Sequence, residues 1–375
     1  MLKRDATIDS IRGVAILLVI LHHVNVQVIQ GSTDPFLNIA NHIFKPLITG
    51  GWVAVDLFFV LSGFLISGLL FKEYKSKGNI DFSRFFIRRS FKIYPGFFVF
   101  LVISLITSVV IYHFFGGERP YFKGYMYDAL FLHNYLGGVY ITTWSLDVEE
   151  AFYILLPIFF IAAISLKKLQ RSTLVTTYLL LVLIGIIGRI TANINIPKYN
   201  FLSHYAQTHF RLDALFFGVI LSYFYHYDKS LLMNTLIRYS HFIMALCILI
   251  LLPNFIFIRD NNWVSVVMLA INPLALGLLL ILAIEYKPLF LEKCSWLNFL
   301  GVNSYAIYLW HPFINDLLIR NLIPGRSPQR FIIYLLTYLL ISVIAGATAT
   351  KYIEKPILYF RDKHFRRKTN PTINL

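Results

Sequence analysis

Apolar runs close to bilayer length recur along almost the whole chain. In hydrocarbon every backbone N–H and C=O must be satisfied inside its own segment, so such runs fold as transmembrane helices. Ten of them can be read, at 11–30, 50–71, 94–114, 146–166, 174–192, 211–227, 239–258, 264–284, 297–319 and 331–352. A soluble α/β chain would instead show short apolar strands between polar helices. With 57% hydrophobic residues and a mean hydropathy of +0.66, the chain is too apolar for that class. The expected fold is all-α and polytopic. It forms a single domain over 1–375 with a short basic tail over 354–375, and leaves no room for a fused C-terminal catalytic domain. Arg12 interrupts the first run and no small-residue cleavage site follows, so the run reads as an uncleaved span. Cys247 and Cys294 make neither a disulfide nor a metal site by themselves.

Lys and Arg in the connections set the orientation. Lys72, Lys75, Lys77, Arg84, Arg88, Arg89 and Lys92 follow the second span; Lys167, Lys168 and Arg171 follow the fourth. The alternate loops are poorer, except for Arg320, Arg326 and Arg330 after the ninth. Both termini are therefore expected in the cytoplasm, with an even number of spans. The net charge of +15 is a topology signal, with attraction to anionic lipid headgroups as a second effect. Its scatter over many loops argues against nucleic-acid binding.

Four clusters of polar residues stand out. Arg12 and His23 are eleven residues apart on one helical face, roughly 16 Å along the axis. Ionisable groups at membrane depth usually belong to a functional site. A neutral imidazole there suits a general base acting on a hydroxyl; a histidine hydrogen-bonded between helices fits the same pattern. Arg84, Arg88 and Lys92 share a face four residues apart, with Arg89 beside them. Guanidinium groups suit phosphate oxygens, although ordinary cytoplasmic anchoring would produce the same residues.

Trp144-Ser145-Leu146-Asp147-Val148-Glu149-Glu150, with Tyr153, opens the fourth span. Glu149 is a candidate to orient a base or hold sugar hydroxyls, against an interfacial aromatic belt. Asp56 lies within the second span ahead of Ser62 and Gly63. It should pair with a buried cation or histidine, and the two small residues should let helices approach closely. Softer signals are Arg211 as an interfacial anchor, Tyr305 and His311-Pro312 in the ninth span, and Glu354 as a partner for Arg12. The residues from 193 to 210, rich in Tyr, His and Asn, are a candidate acceptor contact on the outer side. By depth, Arg12, Arg88, Arg89, Lys92 and Glu354 fall at the inner rim. Asp56, Glu149, Asp213 and His311 fall in the outer half, and His23 lies near the midplane.

Taken in order, these residues resemble the acyltransferase-3 family of integral membrane O-acyltransferases. The resemblance is carried by Arg12 and His23, by Phe58-Phe59-Val60-Leu61-Ser62-Gly63-Phe64, and by Arg88-Arg89-Ser90-Phe91-Lys92-Ile93-Tyr94-Pro95. Trp144-Ser145-Leu146 with Glu149 and Tyr153, Ser304-Tyr305 with Tyr308-Leu309 and His311, and Ile353-Glu354-Lys355-Pro356 complete it. Each piece is weak and the ordered set is specific. The resemblance implies transfer of an acetyl or other short acyl group from cytoplasmic acyl-CoA to a hydroxyl of a cell-envelope or lipid-linked carbohydrate, lipopolysaccharide among the candidates. It implies placement in the bacterial inner membrane.

By position, His23 would be the catalytic histidine with Arg12 as its partner. Glu149 joins them as a catalytic candidate, and direct transfer and an acyl-histidine intermediate both remain open. Arg88 and Arg89 would serve acetyl-CoA. Lys92 stands where the family often has a third arginine, keeping the charge but losing the two-pronged geometry. Asp56, Trp144, Tyr153, Tyr305 and His311 are the candidate substrate contacts, and no metal is required. Some relatives carry a hydrolase-like domain, so a separate envelope partner protein is a further expectation. The competing classes are a transporter of an acylated lipid or sugar, which intramembrane charges also suit, and an assembly scaffold.

Overall fold

The structure, a computed structural model, describes residues 5–24, 34–196, 198–257, 262–321 and 327–365. No strand occurs among them. The first half contains α1 (Ala6–His22), α2 (Pro35–Gly50), α3 (Val53–Lys77), α4 (Phe82–Phe115), α5 (Phe122–Ala129), α6 (His133–Leu136), α7 (Trp144–Ser165) and α8 (Arg171–Asn195). The second contains α9 (Leu212–Tyr227), α10 (Lys229–Arg238), α11 (Ser240–Ile256), α12 (Asn262–Tyr286), α13 (Leu289–Lys293), α14 (Ser295–Val302), α15 (Ser304–Asn321), α16 (Pro328–Ala349) and α17 (Lys355–His364).

The described parts of the ten apolar segments are mostly helical. Among the described residues six stretches are long and apolar enough to cross a membrane: Pro35–Lys77, Phe82–Phe115, Ile141–Ser165, Arg171–Asn195, Val266–Tyr286 and Pro328–His364. α1, α9 and α11 have 17, 16 and 17 residues, short of the ~20 that a full crossing takes. The outward faces carry the apolar surface that a soluble protein would bury. Leu179, Leu183 and Ile187 on α8, Val102 and Ile106 on α4, and Phe242 and Leu249 on α11 are all more than half exposed.

Three expectations need correction. The first span was read over 11–30, but α1 starts at Ala6, where the Asp5 carboxylate accepts from Thr7 N at 2.9 Å, and stops at His22. His23 is thus the helix C-cap and not a mid-span residue. Arg320, by side chain, Arg326, Lys3, Arg4 and the last ten residues of the tail lie outside the description. The connection before the second span contains α2, capped by Asp34 with Pro35 at its first position. The ninth span is broken into α14 and α15 at Asn303. The Asn303 amide donates to the Phe299 carbonyl at 2.7 Å, offering the backbone a partner that competes with helix continuation.

α3 and α9 form the tightest packed pair in the bundle. Gly63 lies directly against the Leu215 carbonyl, and Gly218 against the Val60 carbonyl, so a Cβ at either place would collide with backbone. This is the close approach expected of the Ser62-Gly63 pair. Elsewhere, buried polar side chains pair across helices, as the apolar surroundings demand. Asn254 on α11 and Asn272 on α12 exchange two amide hydrogen bonds of 3.0 Å each.

Candidate active site

A cavity of about 320 Å³ opens between α1, α3, α4, α7 and the α14–α15 break. Arg12, Arg89, Lys92, Glu149, Tyr305 and Tyr308 are among the side chains on its walls. A second cavity of about 430 Å³ lies at the end of the bundle where α3 finishes and α4 begins, with Lys72, Lys77, Arg84 and Arg88 around it. Ile66, Leu69, Arg89 and Lys92 line both. The two therefore adjoin along one wall, a cationic vestibule leading to a mixed polar and apolar chamber.

α4 builds that shared wall. Its N-terminus is fixed by Asp81, whose carboxylate accepts from Arg84 N at 2.9 Å. Successive turns then send Arg84 and Arg88 to the vestibule, and Arg89 and Lys92 to the boundary. Arg89 lies over the Tyr153 ring at 3.9 Å and donates to its hydroxyl. Its guanidinium is 3.5 Å from Glu149. The Tyr153 hydroxyl donates to Glu149 Oε2 at 2.6 Å and lies 2.6 Å from Ser62 Oγ. One carboxylate thus holds an arginine and a tyrosine in fixed positions at the chamber wall. This contact corrects the depth assignment, which put Arg89 at the inner rim and Glu149 in the outer half. α4 enters the bundle well before its apolar stretch begins, so Arg89 reaches the middle of α3 and α7.

Glu354 was expected to pair with Arg12. It pairs instead with Lys92, while Arg12 has Asp9 at 3.6 Å, one turn earlier on α1. The reason is the π-helical turn Thr350–Glu354 after α16, which directs Glu354 to α4. Lys92 also lies 5.3 Å from the centre of the Tyr305 ring, and the Tyr305 hydroxyl donates to the Ile93 carbonyl at 2.8 Å.

At the far end of the chamber stands Tyr308. Its hydroxyl donates to the Thr142 carbonyl at 3.0 Å and lies 2.6 Å from Ser145 Oγ. Behind it the rings of Tyr308 and His311 are 5.7 Å apart, and those of His311 and His23 5.0 Å. His311 is fully buried, and the half-buried His23 packs edge-on against its ring. His23 Nδ1 lies 2.8 Å from the Val19 carbonyl. A carbonyl cannot donate, so the neutral ring carries its hydrogen on Nδ1 and its basic lone pair on Nε2. The His23 carbonyl accepts from the Asn315 amide at 2.6 Å, and Asn315 Oδ1 accepts from Tyr334 at 2.6 Å. Sequence reasoning missed Asn315 and Tyr334 because nothing in their spacing distinguishes them from other helix-facing polar residues.

Asp56 and Trp144 are not on the chamber wall. Asp56 is ion-paired to Arg211, and both are wholly buried. Arg211 lies over Tyr205 at 4.8 Å and Trp144 at 5.7 Å. The expected cation for Asp56 is therefore Arg211, which the sequence reading had placed as an interfacial anchor. The segment from 199 to 211 folds back over this end of the bundle and carries Arg211 inward. Arg189, unremarked in the sequence, is buried beside it and donates to the Phe210 carbonyl at 2.8 Å.

With the geometry in place, comparison with known proteins identifies the family. A model described as an acyltransferase domain, of the acyltransferase-3 type, matches residues 5–349. The chain belongs to the acyltransferase-3 family. O-acetyltransferase OatA of Staphylococcus aureus (strain NCTC 8325 / PS 47) is 24% identical over 385 residues, covering 96% of this chain and 57% of the relative. A protein of Bacillus subtilis (strain 168), provisionally named peptidoglycan O-acetyltransferase YrhL, is 27% identical over 384 residues, covering 96% and 56%. A provisionally named O-acetyltransferase of S. aureus (strain COL) is 24% identical over 376 residues, covering 93% and 56%. The chain thus spans a little over half the length of these curated relatives. No solved structure matches it. Its family and its lipid-facing apolar helices make it an integral membrane protein.

Proposed function

We propose that this protein is a membrane O-acetyltransferase that moves an acetyl group from acetyl-CoA to a hydroxyl of a cell-envelope carbohydrate. The observation that carries the reading is the pair of adjoining cavities, cationic at one end and closed at the other by Tyr308, with His311 and His23 behind it. A donor with a phosphate-bearing nucleotide and a long uncharged arm has that same polarity. Arg84 and Arg88 suit the phosphates, and Arg89 and Lys92 stand where the arm enters the chamber. Ile66, Leu69 and Phe58 give the arm apolar walls.

His23 Nε2 then takes the proton from the acceptor hydroxyl as its oxygen attacks the thioester carbonyl. The C–S bond breaks, and the CoA thiolate leaves and recovers a proton. Tyr308 must shift for the thioester and the imidazole to meet. Arg12, Glu149, Tyr153 and Tyr305 line or brace the chamber, and His311 supports the ring of His23. In this reading ten helices cross the bacterial inner membrane, both termini and the vestibule face the cytoplasm, and residues 1–375 act as a single domain. The names of the relatives favour a peptidoglycan-type or other envelope glycan as acceptor.

The test is transfer of labelled acetyl from acetyl-CoA to envelope glycan by membranes containing the protein. His23→Ala should lower it at least ~100-fold, the size of a general-base contribution, at unchanged protein level. Near-normal transfer by that variant would end the assignment of the base. Absence of transfer by the wild type, alongside transport of an acylated sugar, would favour the exporter class.

A further inference from the structure

The vestibule is completed by a residue from beyond the family match, Arg361 on α17. The family model ends at residue 349, and sequence reasoning read Arg361 only as part of a basic tail. The structure docks it firmly. Glu354 pairs with Lys92. Phe91 on α4 meets Phe360 with ring centres 6.3 Å apart and Phe365 at 5.5 Å. Arg361 Nη1 lies 3.4 Å from the Arg88 carbonyl. The Arg361 side chain is only 13% exposed although it belongs to a surface helix, while its ion-pair partner Asp362 is 56% exposed. Arg361 Nε and Nη2 donate to Asp362 Oδ1 at 2.9 and 2.7 Å, and the side chain so held lines the vestibule wall.

Among the described residues seven cations surround this space: Lys72, Lys77, Arg84, Arg88 and Arg361, with Arg89 and Lys92 at the boundary to the chamber. Among the described residues Glu73 is the one carboxylate lining it, and it is engaged by Lys77. Arg84 and Arg361 both lie close enough to Arg88 to repel it. Like charges gathered around a cavity oppose one another unless an anion of several charges joins them. Two phosphates of a diphosphate bridge do not need this many partners. Guanidinium groups on three different turns suit a ligand with a further, separate phosphate.

We propose that Arg361 is a donor-specificity residue that reads the 3′-phosphate of coenzyme A. The inference rests on the acetyl-CoA reading above. Phosphate chemistry at this end could come from the nucleotide of the soluble donor or from an anionic phospholipid headgroup, and the assignment is to the nucleotide.

Binding of CoA and of 3′-dephospho-CoA to the purified full chain in detergent, by titration calorimetry, needs no acceptor. The wild type should prefer CoA. Arg361→Ala should weaken CoA about tenfold, the loss of one charge-assisted contact, and leave 3′-dephospho-CoA unchanged, so the preference disappears. Arg361→Lys, which keeps the charge and the docked helix, should retain part of it. It serves as the reading if Arg361→Ala fails to accumulate. Equal affinities for CoA in Arg361→Ala, Arg361→Lys and wild type would overturn the inference alone and leave the acyltransferase reading standing. Equal weakening of both ligands would overturn it too, since Arg361 would then serve the vestibule at large. In a parallel arm, the wild type and Arg361→Ala are titrated with phosphatidylglycerol-containing nanodiscs. Loss of lipid preference in the variant with CoA binding intact would assign the residue to lipid and overturn the proposal. A wild type that binds neither nucleotide would overturn the acetyl-CoA reading and this inference together.

Discussion

Two clusters of buried charge do different things. Around Glu149, one carboxylate holds Arg89 and Tyr153 while a cavity opens alongside. Around Asp56, the carboxylate and Arg211 are enclosed by Trp144, Tyr205 and Phe59, with no exposed side-chain surface on either charge. Arg89 keeps 26% of its side chain accessible and Glu149 19%. The sequence presents both as an acid within an apolar span. The contrast teaches that charge in a span is of two kinds. One is spent holding helices in register, and the other is left facing a space that a ligand can enter.

Substitutions should separate the two kinds. The largest effect is expected for Arg211→Ala. It strands the Asp56 carboxylate in a dry environment and should destabilise the protein by about 3–5 kcal/mol. The measurement is the thermal midpoint and yield in detergent. A soundly folded Arg211→Ala protein would show that water reaches this knot and erase the distinction. Next comes Arg89→Met, which should lower transfer on the order of 100-fold, about 2.7 kcal/mol. Its melting midpoint should stay near wild type, because Tyr153 keeps Glu149 and Ser62 as partners. A large loss of midpoint with little loss of turnover would move Arg89 into the structural class.

Gly63→Ala should cost about 1–3 kcal/mol by overpacking. The added methyl meets the Leu215 carbonyl and forces α3 and α9 apart. It should lower the midpoint without changing donor affinity, since neither Gly63 nor Leu215 lines either cavity. The smallest effect belongs to Glu354→Gln. Glu354 is buried, with 4% of its side chain accessible, but Lys92 keeps 35%, so the lysine left behind reaches water and the loss should be about 1 kcal/mol. A shift in CoA affinity of a few-fold, read by the same titration, is the expected outcome. An effect as large as that of Arg211→Ala would place Lys92 and Glu354 with the enclosed pair.

Much of the bundle was legible because transmembrane helices are written locally. Length and apolarity identify a span without knowledge of its neighbours, and the described parts of the ten segments are mostly helical, six stretches being long and apolar enough to cross a membrane. Where a local cue was overlooked, boundaries moved: Asp34-Pro35 starts α2, and Asn303 ends α14. The cluster of candidate residues was also partly legible. Arg12, Arg89, Lys92, Glu149 and Tyr305 do meet at one chamber, and Tyr153 braces it. Partners were not legible. Nothing in the chain says that Lys92 takes Glu354, or that Arg211 reaches Asp56, because those pairs are 262 and 155 residues apart.

By itself, then, the sequence determined the helices, their apolar outer faces and the inventory of charges that had to find partners. Those follow from the solvent each segment must meet, a property of neighbouring residues alone. Which charges became mutual partners, and which were left beside a cavity, was decided by the order in which helices pack. Close approach at Gly63 and Gly218, the π-helical turn at Thr350–Glu354 and the inward fold of the segment before Arg211 set that order. A long-range pair forms only when two distant stretches of backbone are brought within a side chain's reach, and no local pattern records that.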